Sequence, residues 1–364
     1  MIPIFDISLG DNEKKYVKDC LNTNWISSQG KYVNKFEKKI ANFYKSKYCI
    51  VTSSCTTALH LSLNSIDIKP GDEVICPALT FISPANMIAL SGANLVLIDI
   101  DRRTLNIDVN KIENKITKRT KAIIVVHQFG HAAEMNKILK LKRKYNLKII
   151  EDNAESFGGY YNDKILGGIG DISVSSFFGN KIITTGEGGA LVTNNKNIYL
   201  KAKSLRDHGM SLKKKYMFNH LGFNYRLTNM QAAIGLGQIE NIKSILSRRK
   251  KQMDYYYAKL KDIKMVETRE YMKWCTPVHW LMTIHLKNSK ISNSLKKFLL
   301  EKKIETRKMI TPVYEAKQFK NKFNKIDYAV TENISKRSLH LPSGNKLSKK
   351  DIDKIVFYIR EFFR

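Results

Sequence analysis

Four short apolar runs constrain this chain more than any other feature. They are Glu73-Val74-Ile75-Cys76, Leu95-Val96-Leu97-Ile98, Ala122-Ile123-Ile124-Val125-Val126 and Leu147-Lys148-Ile149-Ile150. Helix-patterned stretches such as 134–145 lie between them. Strands that are apolar throughout are buried on both faces, and alternation with helices makes βαβ units, so the spacing predicts a largely parallel sheet covered by helices. Upstream, Tyr32, Phe36, Ile40 and Phe43 fall on one helical face of residues 31–44, and Ser53-Ser54 cap the helix TTALHLSLNSI. Downstream, residues 171–193 are richer in strand and glycine, and 229–260 reads as one or two connecting helices. An α+β pattern ends the chain: strand 279–286, helix 293–301, strand 339–341, helix 349–363. The expected division is a large α/β domain with an N-terminal arm over 1–240, then a connector helix and a smaller α+β domain over 241–364.

With 364 residues, the chain has room for two such domains. Its 63 Lys+Arg against 33 Asp+Glu give a net charge of +30, which raises nucleic acid or an acidic membrane as a partner. The lysines are, however, mixed with Asn and Ile, as in NKIENKITKRTK, which reads as a solvated basic surface rather than a binding stripe. Neither a nucleic-acid nor a membrane partner is expected; an attraction for anionic small substrates is. No apolar run reaches the ~18 residues of a membrane span, and MIPIFDISLGDNEKKY lacks the pattern of a secretory signal. Five scattered cysteines without C-x-x-C argue against a disulfide framework or a cysteine zinc site and point to a reducing cytoplasm. His127 and His131 are four apart, but they straddle a strand end and a glycine loop with no matching carboxylate, so no metal is expected.

Three places carry chemistry. The run 147–150 ends in Glu151-Asp152, which puts a carboxylate where open α/β sheets bind ligands; an acidic helix cap is the plainer reading. Lys181 follows Ser176-Phe177-Phe178-Gly179-Asn180 and precedes the glycine-rich Thr185-Gly186-Glu187-Gly188-Gly189. A lysine there can be an anion ligand or a Schiff-base amine rather than one more surface charge. No GxxxxGK[ST] is present. Finally, Ser54, Cys55 and Thr56 stand just ahead of a helix, where free amides and hydroxyls make a phosphate cradle or a plain cap. Lysine, acid and cradle together are what pyridoxal 5'-phosphate (PLP) requires: an amine for its aldehyde, an acid for its ring nitrogen and an anchor for its phosphate.

At these residues the chain resembles the DegT/DnrJ/EryC1 sugar aminotransferases, fold-type-I PLP enzymes, and within them the perosamine-type members. The likeness runs from Trp25-Ile26-Ser27-Ser28 to Leu341-Pro342-Ser343 and rests on EDNAESFG, SFFGNKIITTGEGG, GFNYRLTNMQAAIGLGQIE and IETR. It implies that Lys181 forms the Schiff base and moves the proton, that Asp152 pairs with the pyridinium nitrogen and that Glu155 bonds the ring hydroxyl. It further implies that Ser54, Cys55, Thr56 and Ser176 hold the phosphate, that Phe81 stacks on the ring (its plainer reading being a core aromatic), and that Asn224 reaches the phosphate from a second subunit of a homodimer. His127 is expected to line the pocket, and Arg307 to bind an acceptor phosphate or the donor carboxylate unless it is a surface charge. His131 reads as structural. Two departures stand out. Family members usually carry Gly where this chain has Cys55, which would cost about 1–3 kcal/mol if the turn needed φ > 0; ordinary backbone with the thiol against the cofactor is the expectation. Perosamine-type members would carry an aliphatic residue at Gln128 and Pro at Ala132.

The implied reaction is ping-pong transamination from L-glutamate to the C4 ketone of a nucleotide-linked 6-deoxysugar, for polysaccharide biosynthesis. Rivals are a small phosphorylated ketone as acceptor, a PLP-dependent sugar dehydratase, and a non-catalytic regulatory protein that binds nucleic acid. Related dehydratases have His where this chain has Lys181, and the Asp152/Lys181 pair argues against the last.

Overall fold

The computed structural model describes residues 1–364. Helices α1 (Asp11–Asn22) and α2 (Lys31–Phe43) lead into β1 (Tyr48–Thr52) and α3 (Cys55–Ser65). Then follow β2 (Glu73–Pro77), α4 (Ser83–Leu90), β3 (Asn94–Ile98), β4 (Thr120–Val126), α5 (Met135–Tyr145) and β5 (Lys148–Asp152). A small hairpin, β6 (Tyr160–Tyr161) and β7 (Lys164–Ile165), precedes β8 (Ile172–Ser176), β9 (Gly189–Thr193) and α6 (Lys196–Arg206). The main sheet has the order β1-β9-β8-β5-β4-β2-β3. Only β9 runs against its neighbours; every other pair is parallel. This is the predicted α/β layering, and the strand sequences explain it. Val74, Cys76, Ile124, Val126 and Ile150 face α3 and α4, while Ile75, Ile123, Val125 and Ile149 face α5, so both faces are dry.

Helix α7 (Asn229–Glu240) is capped by Thr228, whose hydroxyl accepts from the Gln231 amide, and a break at Asn241 separates it from α8 (Ile242–Leu260). Both readings of 229–260 were open; the chain forms two helices. Beyond lie β10 (Glu267–Thr268), β11 (Cys275–Thr276), β12 (Met282–His285), α9 (Ser289–Glu301), β13 (Arg307–Lys308), α10 (Ala329–Arg337), β14 (Ser338–Leu341) and α11 (Lys349–Phe362). Strands β10-β12-β14-β13 form an antiparallel sheet over their own core of Met253, Leu260, Ile284, Leu295, Leu339 and Ile355. The predicted strand 279–286 is shorter than expected: residues 277–281 are irregular and turn toward the large sheet.

The two units are interlaced. Ile2 bridges Ile304, the Ser343 amide donates to Ile4 O at 2.9 Å, and Ile4 N donates to Glu305 Oε2 at 2.9 Å, so the N-terminal arm lies on the C-terminal unit. In return, β11 crosses over to pair with β6. No helix is long and apolar enough to cross a membrane.

Candidate active site

Asp152 is the last residue of β5 and Ser176 the last of β8, two neighbouring parallel strands, so both stand at the carboxyl edge of the sheet. Glu151-Asp152 therefore closes a strand rather than capping a helix. Asp152 is buried and accepts from the Ala154 amide at 3.0 Å. Burial pushes its carboxyl up; that amide and the Lys181 charge pull it back only in part. Glu155 is buried too and accepts from the Phe129 amide at 2.7 Å, and burial likewise pushes it up. Lys181 lies in the loop after β8, its side chain 14% exposed, with Nζ 3.9 Å from Glu155 Oε1 and 3.9 Å from the centroid of the Trp280 ring.

The third part is the start of α3. Ser54 is the cap, its hydroxyl accepting from Thr57 N at 3.1 Å. Cys55 and Thr56 begin the helix, where amides have no intrahelical carbonyl to bond and the helix dipole favours an anion. Gly189 of β9 makes the approach possible, for a Cβ there would stand 2.5 Å from Cys55 N. Cys55 is absent from the positive-φ residues, so the substitution of glycine by cysteine carries no backbone strain. Cys55 is half-buried; loss of hydration pushes its thiol well up, and it lies within the fields of Asp152 and Lys181. Thr56 Oγ1 is 2.8 Å from Ser83 Oγ, and Ser176 Oγ accepts from Phe178 N at 3.4 Å. Phe81 is 61% exposed, which removes the reading as a core aromatic and leaves a ring face free. Two buried acids beside a lone lysine, open amides at a helix start and a free aromatic face are a donor set that fits PLP, and a metal would find no such cluster of ligands.

Other expectations are redistributed. His127 does not line the pocket: its ring is fully buried, Nε2 lies 3.0 Å from Glu151 Oε2, and Nδ1 accepts from Ala133 N at 3.2 Å. That second bond fixes the proton on Nε2, so neither nitrogen is left for a substrate. His131 is buried, bonded to Ala132 O at 2.7 Å and accepting from Met272 N at 3.2 Å, and burial pushes it down to about 3. Arg307 is exposed on β13 opposite His340, and Asn224 is exposed, accepting from Arg226 Nε at 3.0 Å; neither bonds to the buried groups within this chain. Asn224 does not cap α7, a role held by Thr228. Sequence reasoning missed Trp280, Phe129 and Arg249. Trp280 sat inside a strand-patterned run, and nothing in that run marks it as a neighbour of Lys181.

The family profile described as DegT/DnrJ/EryC1/StrS aminotransferase family matches residues 8–360. A protein named GDP-perosamine synthase from Escherichia coli O157:H7 is 39% identical, covering 100% of this chain and 98% of its own length. One of the same name from Caulobacter vibrioides is 40% identical, covering 96% and 94%. Among solved structures, Helicobacter pylori PseC, an aminotransferase involved in the biosynthesis of pseudoaminic acid, superposes with a TM-score of 0.94 at 28% identity, covering 100% of this chain and 99% of that one.

Proposed function

Since the chain belongs to the DegT/DnrJ/EryC1/StrS aminotransferase family and is a PLP-dependent aminotransferase acting on nucleotide sugars, we propose that it moves the amino group of L-glutamate to the C4 ketone of a GDP-linked 4-keto-6-deoxysugar. Support for the acceptor comes from the two relatives named GDP-perosamine synthase. The observation that carries the chemistry is the Lys181 amine 3.9 Å from Glu155 Oε1, its charge acting on the two buried acids Asp152 and Glu155. When bound, the cofactor supplies an aldehyde that takes up an amine and a ring that accepts electron density.

The chain's own residues do the rest. Asp152, disfavoured as an isolated buried anion, gains a cationic partner in a ring N–H and keeps that proton in place. Glu155, its other oxygen tied to the Phe129 amide, orients the ring hydroxyl. The Cys55 and Thr56 amides and the Ser176 hydroxyl hold the phosphate, and Phe81 covers the ring. Lys181 would take the proton from the substrate carbon and return it to the carbon on the other side of the shared nitrogen, as general base and then acid. Asn224 of a second copy completes the phosphate site, and Arg307 meets an anionic group of a substrate. In a cell this chemistry belongs to the cytoplasm, where nucleotide sugars and glutamate are found.

The test is a single-turnover screen. The pyridoxamine form of the protein is mixed with GDP- and other nucleotide-linked 4-keto sugars and with small phosphorylated ketones, and loss of its absorbance is followed. Rapid loss with the GDP-linked sugar is expected. Loss with the small ketones alone would transfer the function to that acceptor class.

A further inference from the structure

Trp280 lies 99 positions from Lys181 in the chain, yet its buried indole donates Nε1–H to the carbonyl of Asn180 at 2.6 Å, one residue before the lysine. The Lys181 Nζ is 3.9 Å from the ring centroid, well within the ~6 Å over which an aromatic face holds a cation. Its other polar neighbour, Glu155 Oε1, is also at 3.9 Å, beyond hydrogen-bond reach. The ring itself cannot swing. Phe129 lies nearly parallel to it, 8° apart with centroids 6.2 Å distant. Arg249 of α8, fully buried, donates Nε to His279 O at 3.0 Å and Nη2 to Trp280 O, which pins the backbone on which the indole hangs. Burial pulls Arg249 down to about 10, which leaves it a cation at neutral pH.

We propose that Trp280 is a positioning residue for Lys181: its face is the resting place of the lysine amine whenever that amine is not joined to the cofactor, and the Arg249 clamp fixes the face there. The inference rests on the reading of Lys181 as the reacting amine. A freed lysine has a long, flexible stem and must wait within reach of the substrate carbon. A close carboxylate would hold it as an ion pair and oppose the loss of its proton. An indole face attracts the ammonium without a lone pair to take its proton, so it shields the resting amine from passing reagents yet keeps it near the substrate carbon.

The test compares Trp280→Leu, which removes the aromatic face, with Trp280→Phe, which keeps one. With the loaded enzyme, kcat should fall about three- to thirtyfold in Trp280→Leu, the range one cation–π contact spans, while KM for L-glutamate moves less than about twofold. Trp280→Phe should recover most of the loss. A second readout needs no cofactor or turnover. Cofactor-free protein is exposed to a small amine-reactive ester, and acylation of Lys181 is followed by peptide mass. Lys181 should react about three- to thirtyfold faster in Trp280→Leu and within about threefold of the parent in Trp280→Phe. Trp280→Met, nearer in volume, takes the place of Trp280→Leu if circular dichroism shows the latter unfolded. Equal acylation rates in folded parent and ring-less variant overturn the proposal, as does an equal loss of kcat in the Phe and Leu variants, which would mark a packing role. Should Lys181 not be the reacting amine, borohydride would fix the cofactor to another lysine while the acylation contrast persisted, so the two failures are distinguishable.

Discussion

A carboxylate as buried as Asp152 has few neighbours able to keep it charged, and within the fold the Ala154 amide and the Lys181 charge offset the cost of burial only in part. A bound pyridinium N–H would be its natural counter-ion. Asp152→Asn keeps the shape and loses that charge. With a charge-assisted hydrogen bond worth ~1.5–3 kcal/mol, kcat should drop at least about ten- to a hundredfold while cofactor occupancy falls much less; stopped-flow turnover beside a cofactor titration measures both. Unchanged turnover at full occupancy would take Asp152 out of the mechanism. At this scale the sequence was informative where function sits in short contiguous motifs. Asp152 and Glu155 are three apart after one strand, and Ser176 and Lys181 five apart after the next, so they could be recognised together. Trp280 could not be. Its link to Lys181 runs through tertiary packing across 99 positions, and its local pattern resembled a strand. His127 misled for a related reason: a histidine at a strand end suggests a pocket, but the Glu151 side chain on the adjacent strand captures the ring.

Elements meet through a few tight contacts, and two of these can be tested. Gly189 lets β9 pass the start of α3, and a Cβ would lie 2.5 Å from both Cys55 N and the Ser54 carbonyl carbon. Both are backbone atoms that cannot rotate away. Gly189→Ala should therefore displace the first turn of α3, at about 1–3 kcal/mol in the melting of the cofactor-free protein, and should weaken cofactor binding further. A normal melt with normal affinity would show that α3 does not form the cradle. The second contact joins the two units: Asp99, just after β3, accepts from the Thr331 amide at 2.9 Å and its hydroxyl at 2.8 Å and caps the first turn of α10. Lys111 adds an ion pair at 3.1 Å. Burial alone would raise this carboxyl, but the bonds from Thr331, Ile100 and Lys111 outweigh it and hold it below its ordinary value of 3.8. A depressed folded-state value means that the stabilisation is complete above the ordinary range and is lost as pH falls through the lower one. Asp99→Ala should cost about 2–4 kcal/mol at neutral pH, and the gap to the parent should close below about pH 4 in denaturant titrations. A gap independent of pH would mean that the charge is not involved. Strand and helix positions were legible because burial on both faces of a parallel sheet writes itself as apolar runs. The Asp99–α10 joint was not, since a capping carboxylate supplied by a distant loop leaves no pattern next to the helix it caps.

For the whole molecule, the segment carrying Asn224 is the most exposed apolar region: Leu221 is 96% exposed, with Leu212, Tyr216, Met217 and Phe218 also bare. A stretch so rich in exposed apolar side chains is what a surface meeting a second copy presents, which supports the proposed dimer in which each site takes Asn224 from the partner subunit. Lys181→Ala and Asn224→Ala chains, each weak alone, should complement when unfolded together and refolded. In an equal mixture half the dimers are mixed and each has one intact site, so about a quarter of the parent activity should return. A mixture no better than the mean of the two variants, or an active monomer in sedimentation, would end the shared-site reading. The interlaced ends have a further consequence, for the order in which the chain becomes structured on the ribosome. Ile2 and Ile4 emerge about 300 residues before their partners Ile304, Glu305 and Ser343. At about 5–20 residues per second, the head of the chain waits roughly 15–60 s for its seat. This segment is thus fastened long after it is made, and its docking reports that the chain has been synthesised through Ser343.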